Sequence, residues 1–281
     1  STVAQALTRA TAALHAAESS GQPQLEASIL LAHVLAKPRS YLYTWPDSEL
    51  DAAREARFLE LVQQRIAGHP VAYLTGQREF WSLDLKVTPD TLIPRPETEL
   101  LVEQALALLP ADQPLRIADL GTGSGAVALA LASERKRWQV YASDYSLAAL
   151  RVAAHNASQA NTGGPLFFQG HWTDAIATHS LDALISNPPY VEDLDPHLDR
   201  GDLRFEPLSA LVAGPDGLND LKILIADAPR ILKPGAWILL EHAAEQAQNI
   251  RILLKNSGFI TIHTTCDLAG LERVTAAKKP D

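Results

Sequence analysis

LRIADLGTGSGAVALALASE, residues 115–134, begins as an apolar run, turns through glycines at alternate positions, and continues as an apolar, helix-forming stretch. A strand that passes through glycine straight into a helix is the first half of a βαβ unit. The pattern repeats downstream. WQVYASD (138–144), PLFFQG (165–170), LDALISN (181–187) and AWILLEH (236–242) read as buried strands. Helical spacing recurs in SLAALRVAAHNASQAN (146–161), LNDLKILIADAPRIL (218–232) and EQAQNIRILLKNSG (245–258), the last capped by Gly258. FITIHTTCD (259–267) and ERVTAAKK (272–279) then follow each other with no helix between, as an antiparallel edge hairpin would. The sum is an α/β domain over residues 115–281 with a seven-stranded, doubly wound, mainly parallel sheet.

Upstream the period changes. VAQALTRATAALHAAE (3–18), LEASILLAHVLA (25–36) and AAREARFLELVQQRIAG (52–68) place apolar residues three and four apart, with Pro23, Pro38, Pro46 and Gly68-His69-Pro70 as breaks. These predict a small N-terminal helical domain over residues 1–75. REFWSLDLKVTP (78–89) alternates like a short hairpin, and LIPRPETELLVEQALALL (92–109) is a proline-rich loop feeding an amphipathic helix. Residues 76–114 are therefore expected to connect the two domains.

Composition narrows the class. At 281 residues with 47% apolar and 20% charged residues, this is an ordinary globular chain. No stretch approaches the roughly 18 apolar residues of a membrane span. STVAQALTRATAALHAAESS at the start lacks the continuous apolar core of a signal peptide, and its single Arg9 makes a transit peptide the weaker reading. A cytoplasmic monomer is expected. One cysteine, Cys266, excludes an internal disulfide, and the nine histidines show no metal-ligand spacing. A net charge of −9 argues against a broad grip on duplex DNA, so no stable nucleic-acid complex is expected.

Ligands of open α/β sheets bind outside the carboxyl ends of the strands. Asp119, Gly121, Thr122, Gly123, Ser124 and Gly125 sit at the end of the first strand, where backbone can approach a ligand and the following helix offers free N–H groups. Alone, the glycines equally fit a tight turn that lets helix pack on strand. Asp144 ends the second strand about 20 residues on, where an acid accepts both hydroxyls of a ribose. The competing reading is that Asp144 caps the next helix. A dinucleotide would suit much of this, but the Gly-x-Gly-x-Gly spacing counts against it. S-adenosylmethionine carries a ribose and a sulfonium cation, which Asp144 and Asp119 would serve, and leaves S-adenosylhomocysteine as product.

The fourth strand of the sheet ends in Asn187-Pro188-Pro189-Tyr190, on the same rim. The Asn187 side-chain oxygen and the Pro188 carbonyl can each accept one N–H of a planar –NH2 group. Two such bonds fix the nitrogen and stabilise the positive charge it gains on attacking a methyl group. Tyr190 can lie over the flat amide or base face, and the prolines keep the rim stiff and donor-poor.

With these motifs in view, the chain resembles the PrmC/HemK protein-glutamine methyltransferases. The resemblance runs through GHPVAYLTGQREFWSLDLKV, TLIPRPETELLVE, ADLGTGSGAVALALA, ISNPPYV, DLRFEPLSALVAGPDGL and LLEH. It implies a class I, Rossmann-like fold, S-adenosylmethionine as cofactor, and the GGQ-motif glutamine of class-I peptide release factors as substrate. Carried over by position, Gly121 to Gly125, Asp144, Trp172 and Asn187 match cofactor positions, and Asn187 through Tyr190 the glutamine site. Trp172 would flank the adenine, or else pack under a loop. The chain departs from the family in DLAGLERVTAAKK, which lacks the usual GDNERV form, and at Ala243, where glycine is usual.

Arg95 and Glu97, with Arg204 and Glu206, are charges in proline-bearing loops that either contact the substrate or form surface ion pairs. Phe80 and Trp81 either wall the glutamine pocket or, better, pack a domain junction. Glu241 and His242 are expected to be structural, because the amide proton becomes acidic only after methyl transfer and can leave to water. Two other acceptors stay open: a glutamine of a large-subunit ribosomal protein, and the amino group of a nucleic-acid base. A non-catalytic binding protein is disfavoured by the intact Asn187–Tyr190 motif.

Overall fold

The computed structural model describes residues 1–18, 21–160 and 164–281, which form two compact units. One is Ser1–Gln77 together with Pro196–Phe205; the other is Arg78–Asp195 together with Glu206–Asp281.

The first unit is helical: α1 (Val3–Ala16), α2 (Pro23–Leu35), α3 (Arg39–Thr44), α4 (Ala52–Ile66) and α5 (Val71–Thr75). Thr2 and Gln5 form a capping box at the start of α1, and Asp51 accepts the Arg54 N–H at the start of α4. Leu14, Leu30, Leu31, Phe58 and Leu61 make its core. α3 and α5 have no counterpart in the sequence reading, since five or six residues are too few to show a period. The unexpected member is the segment Pro196–Phe205. Asp202 accepts from Arg65 Nη1 at 3.1 Å, and Arg65 also bonds Glu26 through Nε at 2.8 Å. Arg204, expected in a substrate contact or surface ion pair, instead donates to the Ala67 carbonyl at 2.6 Å. Phe205 lies against His69, ring centroids 4.4 Å apart.

The second unit opens with the hairpin β1 (Gln77–Phe80) and β2 (Leu83–Lys86). Its two-residue turn puts Trp81 and Ser82 at φ 52° and 57°, the mirror-image geometry usually filled by Asn-Gly. Phe80 is buried with Leu101 and Val127, and Trp81 donates its indole N–H to Glu134 at 2.8 Å. The hairpin is docked on the helices that cover the sheet. After a 3-10 turn at Pro96–Thr98 comes α6 (Glu99–Leu108).

The sheet alternates strand and helix through β3 (Arg116–Leu120), α7 (Ala126–Glu134), β4 (Gln139–Asp144), α8 (Leu147–Ala160), β5 (Leu166–Gln169) and β6 (Leu181–Ser186). It closes with α9 (Asn219–Ile231), β7 (Leu232–Glu241), α10 (Ala247–Asn256), β8 (Ile260–Cys266) and β9 (Glu272–Lys278). The helix expected to reach Asn161 is α8; Asn161 itself, like Ser19 and Ser20 of the N-terminal stretch, lies outside the described residues. Strand order is β5-β4-β3-β6-β7-β9-β8, parallel except that β9 runs antiparallel to β7 and β8. The central strands bury both faces: Ala183 and Ile185 of β6 face the α6 and α7 layer, and Leu184 faces α9. The order reverses between β3 and β6, which opens a crevice beyond their carboxyl ends.

Candidate active site

The chain leaves β3 through a loop stitched to β4, with the Gly121 and Thr122 N–H groups both donating to the Ser143 carbonyl at 2.9 Å. Gly121 has φ 78°, and a Cβ there would stand 3.1 Å from the Trp172 ring. Only glycine gives this turn so close an approach. Asp119, expected beside a ligand cation, is turned under the loop and is 2% exposed. Its Oδ2 accepts the Thr122 hydroxyl at 2.7 Å and the Ala128 N–H at 3.2 Å. The physical reason is at the helix start: Gly125 caps α7 without a side chain, so the unpaired N–H groups of the first turn need another acceptor. Burial pushes the Asp119 carboxyl up to about 6, against the pull of those two bonds.

Thr122, Ser124 and Gly125 also support the loop from behind. The Ser124 carbonyl accepts from Asn156 Nδ2 at 2.9 Å, and a Cβ on Gly125 would meet Ala153 of α8 at 3.1 Å. Asp144 does two jobs at once. Its Oδ2 accepts the Gly123 N–H and its Oδ1 the Ser146 N–H, each at 2.9 Å. The cap of α8 is Ser146, whose hydroxyl accepts the Ala149 N–H at 3.2 Å, so Asp144 is not the helix cap of the competing reading but lies two residues ahead of it. Burial raises its pKa, and the backbone donors oppose the shift.

Above the loop is a cavity of about 390 Å³, within the range of small-molecule sites. It is lined from four consecutive strand ends: Gly121 and Gly123 after β3, Asp144 to Ser146 at β4, Gly170 to Trp172 after β5, and Asn187 with Pro189 after β6. Trp172 sits at φ 45° and donates its indole N–H to Asp220 Oδ1 at 2.9 Å. It therefore both lines the cavity and packs on the glycine loop. Asp90, Thr91, Leu92, His171, Ser209 and Asp220 also line it. Sequence reading missed them. Gly170 and His171 were open to the strand-end rule, whereas Asp220 arrives from the first turn of α9 with no local signal.

Asn187 Nδ2 donates to the Thr98 hydroxyl at 3.3 Å, a bond that leaves the acceptor capacity of Oδ1 unused. Ser186 Oγ donates to the Leu120 carbonyl at 2.5 Å and pins this strand end to the glycine loop. Pro188 and Tyr190 do not line the cavity. Tyr190, expected over the acceptor plane, donates its hydroxyl to Glu241 Oε1 at 3.1 Å, and burial raises its pKa. Its carbonyl accepts from Gln246 Nε2 at 3.0 Å, and a Cβ on Gly217 would come within 2.3 Å of that oxygen. The glycine of PDGL is thus required by the backbone of the motif.

Arg95 does not line the cavity either. It pairs with Glu206, whose side chain is fully buried and also accepts the Ile93 N–H at 2.9 Å. This is no surface ion pair; it braces the proline loop beside Thr98. His242 is held between the Ala243 carbonyl and the Thr275 hydroxyl, and burial lowers its pKa. In the divergent DLAGLERV stretch, Asp267 closes the turn by accepting the Ala269 and Leu271 N–H groups. Among the described residues no His, Cys, Asp and Glu cluster is placed to hold a metal, and no helix is long and apolar enough to cross a membrane.

A doubly wound sheet with this order and a cavity over its glycine loop defines a Rossmann-like methyltransferase domain. Residues 96–201 match the family model described as methyltransferase small domain, and residues 5–76 that described as PrmC N-terminal domain. A methyltransferase from Pyrococcus furiosus shares the fold, with a TM-score of 0.55 at 15% identity over 82% of this chain and all of that one. A release factor glutamine methyltransferase of Xylella fastidiosa (strain Temecula1) is 49% identical over 95% of this chain and 98% of its own. Another, of Vibrio cholerae, is 49% identical over 98% of this chain and 96% of its own. The chain belongs to the release factor glutamine methyltransferase family.

Proposed function

We propose that this protein methylates the side-chain amide nitrogen, N5, of the GGQ-motif glutamine of class-I peptide release factors, with S-adenosylmethionine as donor. The observation that carries the reading is the 49% identity to a relative of that name over 95% of the chain, helical unit included. An Asn187 whose Oδ1 is left for a ligand at the cavity supports it from the side of chemistry.

The residues present suit the cofactor. The Gly121 backbone stands where any Cβ would be in contact with Trp172, the Asp144 carboxylate is at the ribose-binding strand end, and the cavity is of cofactor size. When bound, S-adenosylmethionine supplies an electrophilic methyl group on a sulfonium. Asp144, which keeps Gly123 in place, would accept the ribose hydroxyls. Trp172, held by Asp220, would flank the adenine. Asn187 Oδ1 and the Pro188 carbonyl each accept one N–H of the substrate amide, which orients a nitrogen whose lone pair is delocalised and offsets the charge it acquires. Its proton then leaves to water. Tyr190 and Arg95 act behind this rim, as braces of the motif and of the proline loop.

The helical unit serves as the arm that recognises the protein substrate, with residues 115–281 as the catalytic domain and 76–114 between them. The reaction belongs in the cytoplasm, where release factors work.

Labelled S-adenosylmethionine, offered with a release factor, a large-subunit ribosomal protein, DNA or RNA in parallel, tests the proposal. Label is expected in the release factor and is expected to vanish when its GGQ glutamine is replaced by alanine. Label confined to the ribosomal protein or to nucleic acid would overturn it.

A further inference from the structure

Glu241, at the end of β7, is 1% exposed, yet no step above uses it. Its Oε1 accepts the Tyr190 hydroxyl at 3.1 Å, and the Thr98 hydroxyl lies beside the carboxyl. Its Oε2 makes no geometrically formed hydrogen bond among the described residues. A buried carboxylate oxygen left so costs stability, so this core would be better served by an apolar side chain unless the acid has another use. The two hydroxyls at Glu241 flank the acceptor motif. Tyr190 is its last residue, and Thr98 receives the N–H of its first, Asn187 Nδ2, at 3.3 Å.

We infer that Glu241 is a positioning residue for methyl transfer: bonded to the Tyr190 hydroxyl and lying beside that of Thr98, it keeps Asn187 with its amide nitrogen on Thr98 and its Oδ1 toward the substrate nitrogen. The inference rests on the proposed function and adds a residue to it.

The hydrogen-bond inventory sets the direction of the effect. An ionised carboxylate takes the Thr98 hydroxyl proton, and the lone pairs of Thr98 Oγ1 remain for the Asn187 N–H. A protonated Glu241 can donate to Oγ1 itself. That frees the Thr98 proton to turn to Asn187 Oδ1, the atom the substrate needs. The charged and titratable groups facing Glu241 are Tyr190 from the β6 exit, Arg273 from β9 and Glu97 from the 3-10 turn, with Arg95 acting on Tyr190. Burial pushes the Glu241 carboxyl up to about 7; Arg273 opposes this and Glu97 adds to it. Ionisation in the neutral range makes the oriented form of Asn187 increase with pH. Glu241 is thus more than the structural neighbour of His242 that the sequence predicts.

The test is steady-state methylation of a release factor by the full chain from about pH 5.5 to 9, a span that brackets the neutral range. Wild type, Glu241→Gln and Thr98→Val are compared, with the S-adenosylmethionine Kd measured separately. Wild-type kcat is expected to rise through an apparent pKa of about 7. Glu241→Gln should lower kcat at alkaline pH by about tenfold or more, leave KM and Kd within about twofold, and abolish the acid limb, since a displaced acceptor site loses rate rather than affinity. A Glu241→Gln enzyme with wild-type kcat, or with the acid limb intact, overturns the inference. Should circular dichroism show that variant unfolded, Thr98→Val carries the same expectation, and a wild-type kcat there overturns it equally. A wild-type enzyme that labels no release factor overturns the proposed function and this inference with it; an active wild type matched by the variants overturns the inference alone.

Discussion

Asp144 Oδ2 accepts the Gly123 N–H at 2.9 Å, so the acid at the end of β4 holds the glycine loop that follows β3. One carboxylate therefore shapes the cavity floor and keeps lone pairs for the ribose of the proposed cofactor. Hydrogen bonds to a charged acceptor are each worth about 1.5–3 kcal/mol. Asp144→Ala is expected to weaken S-adenosylmethionine binding by roughly ten- to a hundredfold, read by calorimetry. Asp144→Asn should fall between, because its carbonyl can keep only one of the two backbone donors. Unchanged affinity in Asp144→Ala would place the ribose elsewhere.

Asp119 gives a pH dependence of stability. Its carboxyl is raised from 3.8 to about 6 in the folded chain, so between those values the native state binds more protons than the unfolded one. The stabilisation is full below pH 4 and is lost as pH rises through about 6. Asp119→Asn can still accept the Thr122 hydroxyl and the Ala128 N–H through its carbonyl oxygen, without a buried charge. Urea unfolding at neutral pH should find it as stable as wild type or more so, and the gap should close on acidification toward pH 4. Asp119→Ala, which strands both donors, should lose about 1–3 kcal/mol at every pH. A gap that widens on acidification would contradict the raised pKa.

How much of this was legible in the sequence follows from what is local. Gly121, Asp144 and Asn187 each stand within two residues of the end of an apolar run, so strand-end placement was readable from period and punctuation alone. Trp81 and Ser82 turn a hairpin without the usual Asn-Gly, yet the alternation on either side still disclosed it. What stayed hidden depends on distant partners. Nothing near Asp119 tells that Gly125 leaves a helix start uncapped and draws the carboxylate inward. Glu206 looks like a loop charge until Arg95 and the Ile93 N–H are seen on it. Residues 196–205 read as part of the catalytic domain, and their membership of the helical unit appears through Arg65, Ala67 and His69.

Asn187 is the side chain whose loss should separate binding from chemistry. The Thr98 contact uses only its Nδ2, Oδ1 is the acceptor proposed for the substrate, and acceptors aimed at developing charge are worth about a hundred- to a thousandfold in rate. Asn187→Ala is expected to lose that much in single-turnover methylation while S-adenosylmethionine affinity changes by about threefold at most. Near wild-type turnover would remove Asn187 from the reaction.

Arg65 makes the clearest case in the helical unit. Its side chain is 8% exposed, with Nε and Nη2 on the two Glu26 oxygens and Nη1 on Asp202 at 3.1 Å and the His69 carbonyl at 3.3 Å. A planar guanidinium can serve four acceptors in two directions, and an ammonium cannot. Arg65→Lys should therefore fail to restore what Arg65→Met loses. Removing one partner of a buried pair is costly, but Asp202 is 40% exposed and can turn to solvent, so the loss should be about 1–2 kcal/mol. The sharper expectation is local. Amide hydrogen exchange across residues 196–205 should quicken in both variants, because Asp202 is their charged anchor to α4, while β3 and β6 keep wild-type protection. Unchanged exchange in 196–205 would mean that Arg204 on the Ala67 carbonyl and Phe205 on His69 hold the segment without Arg65.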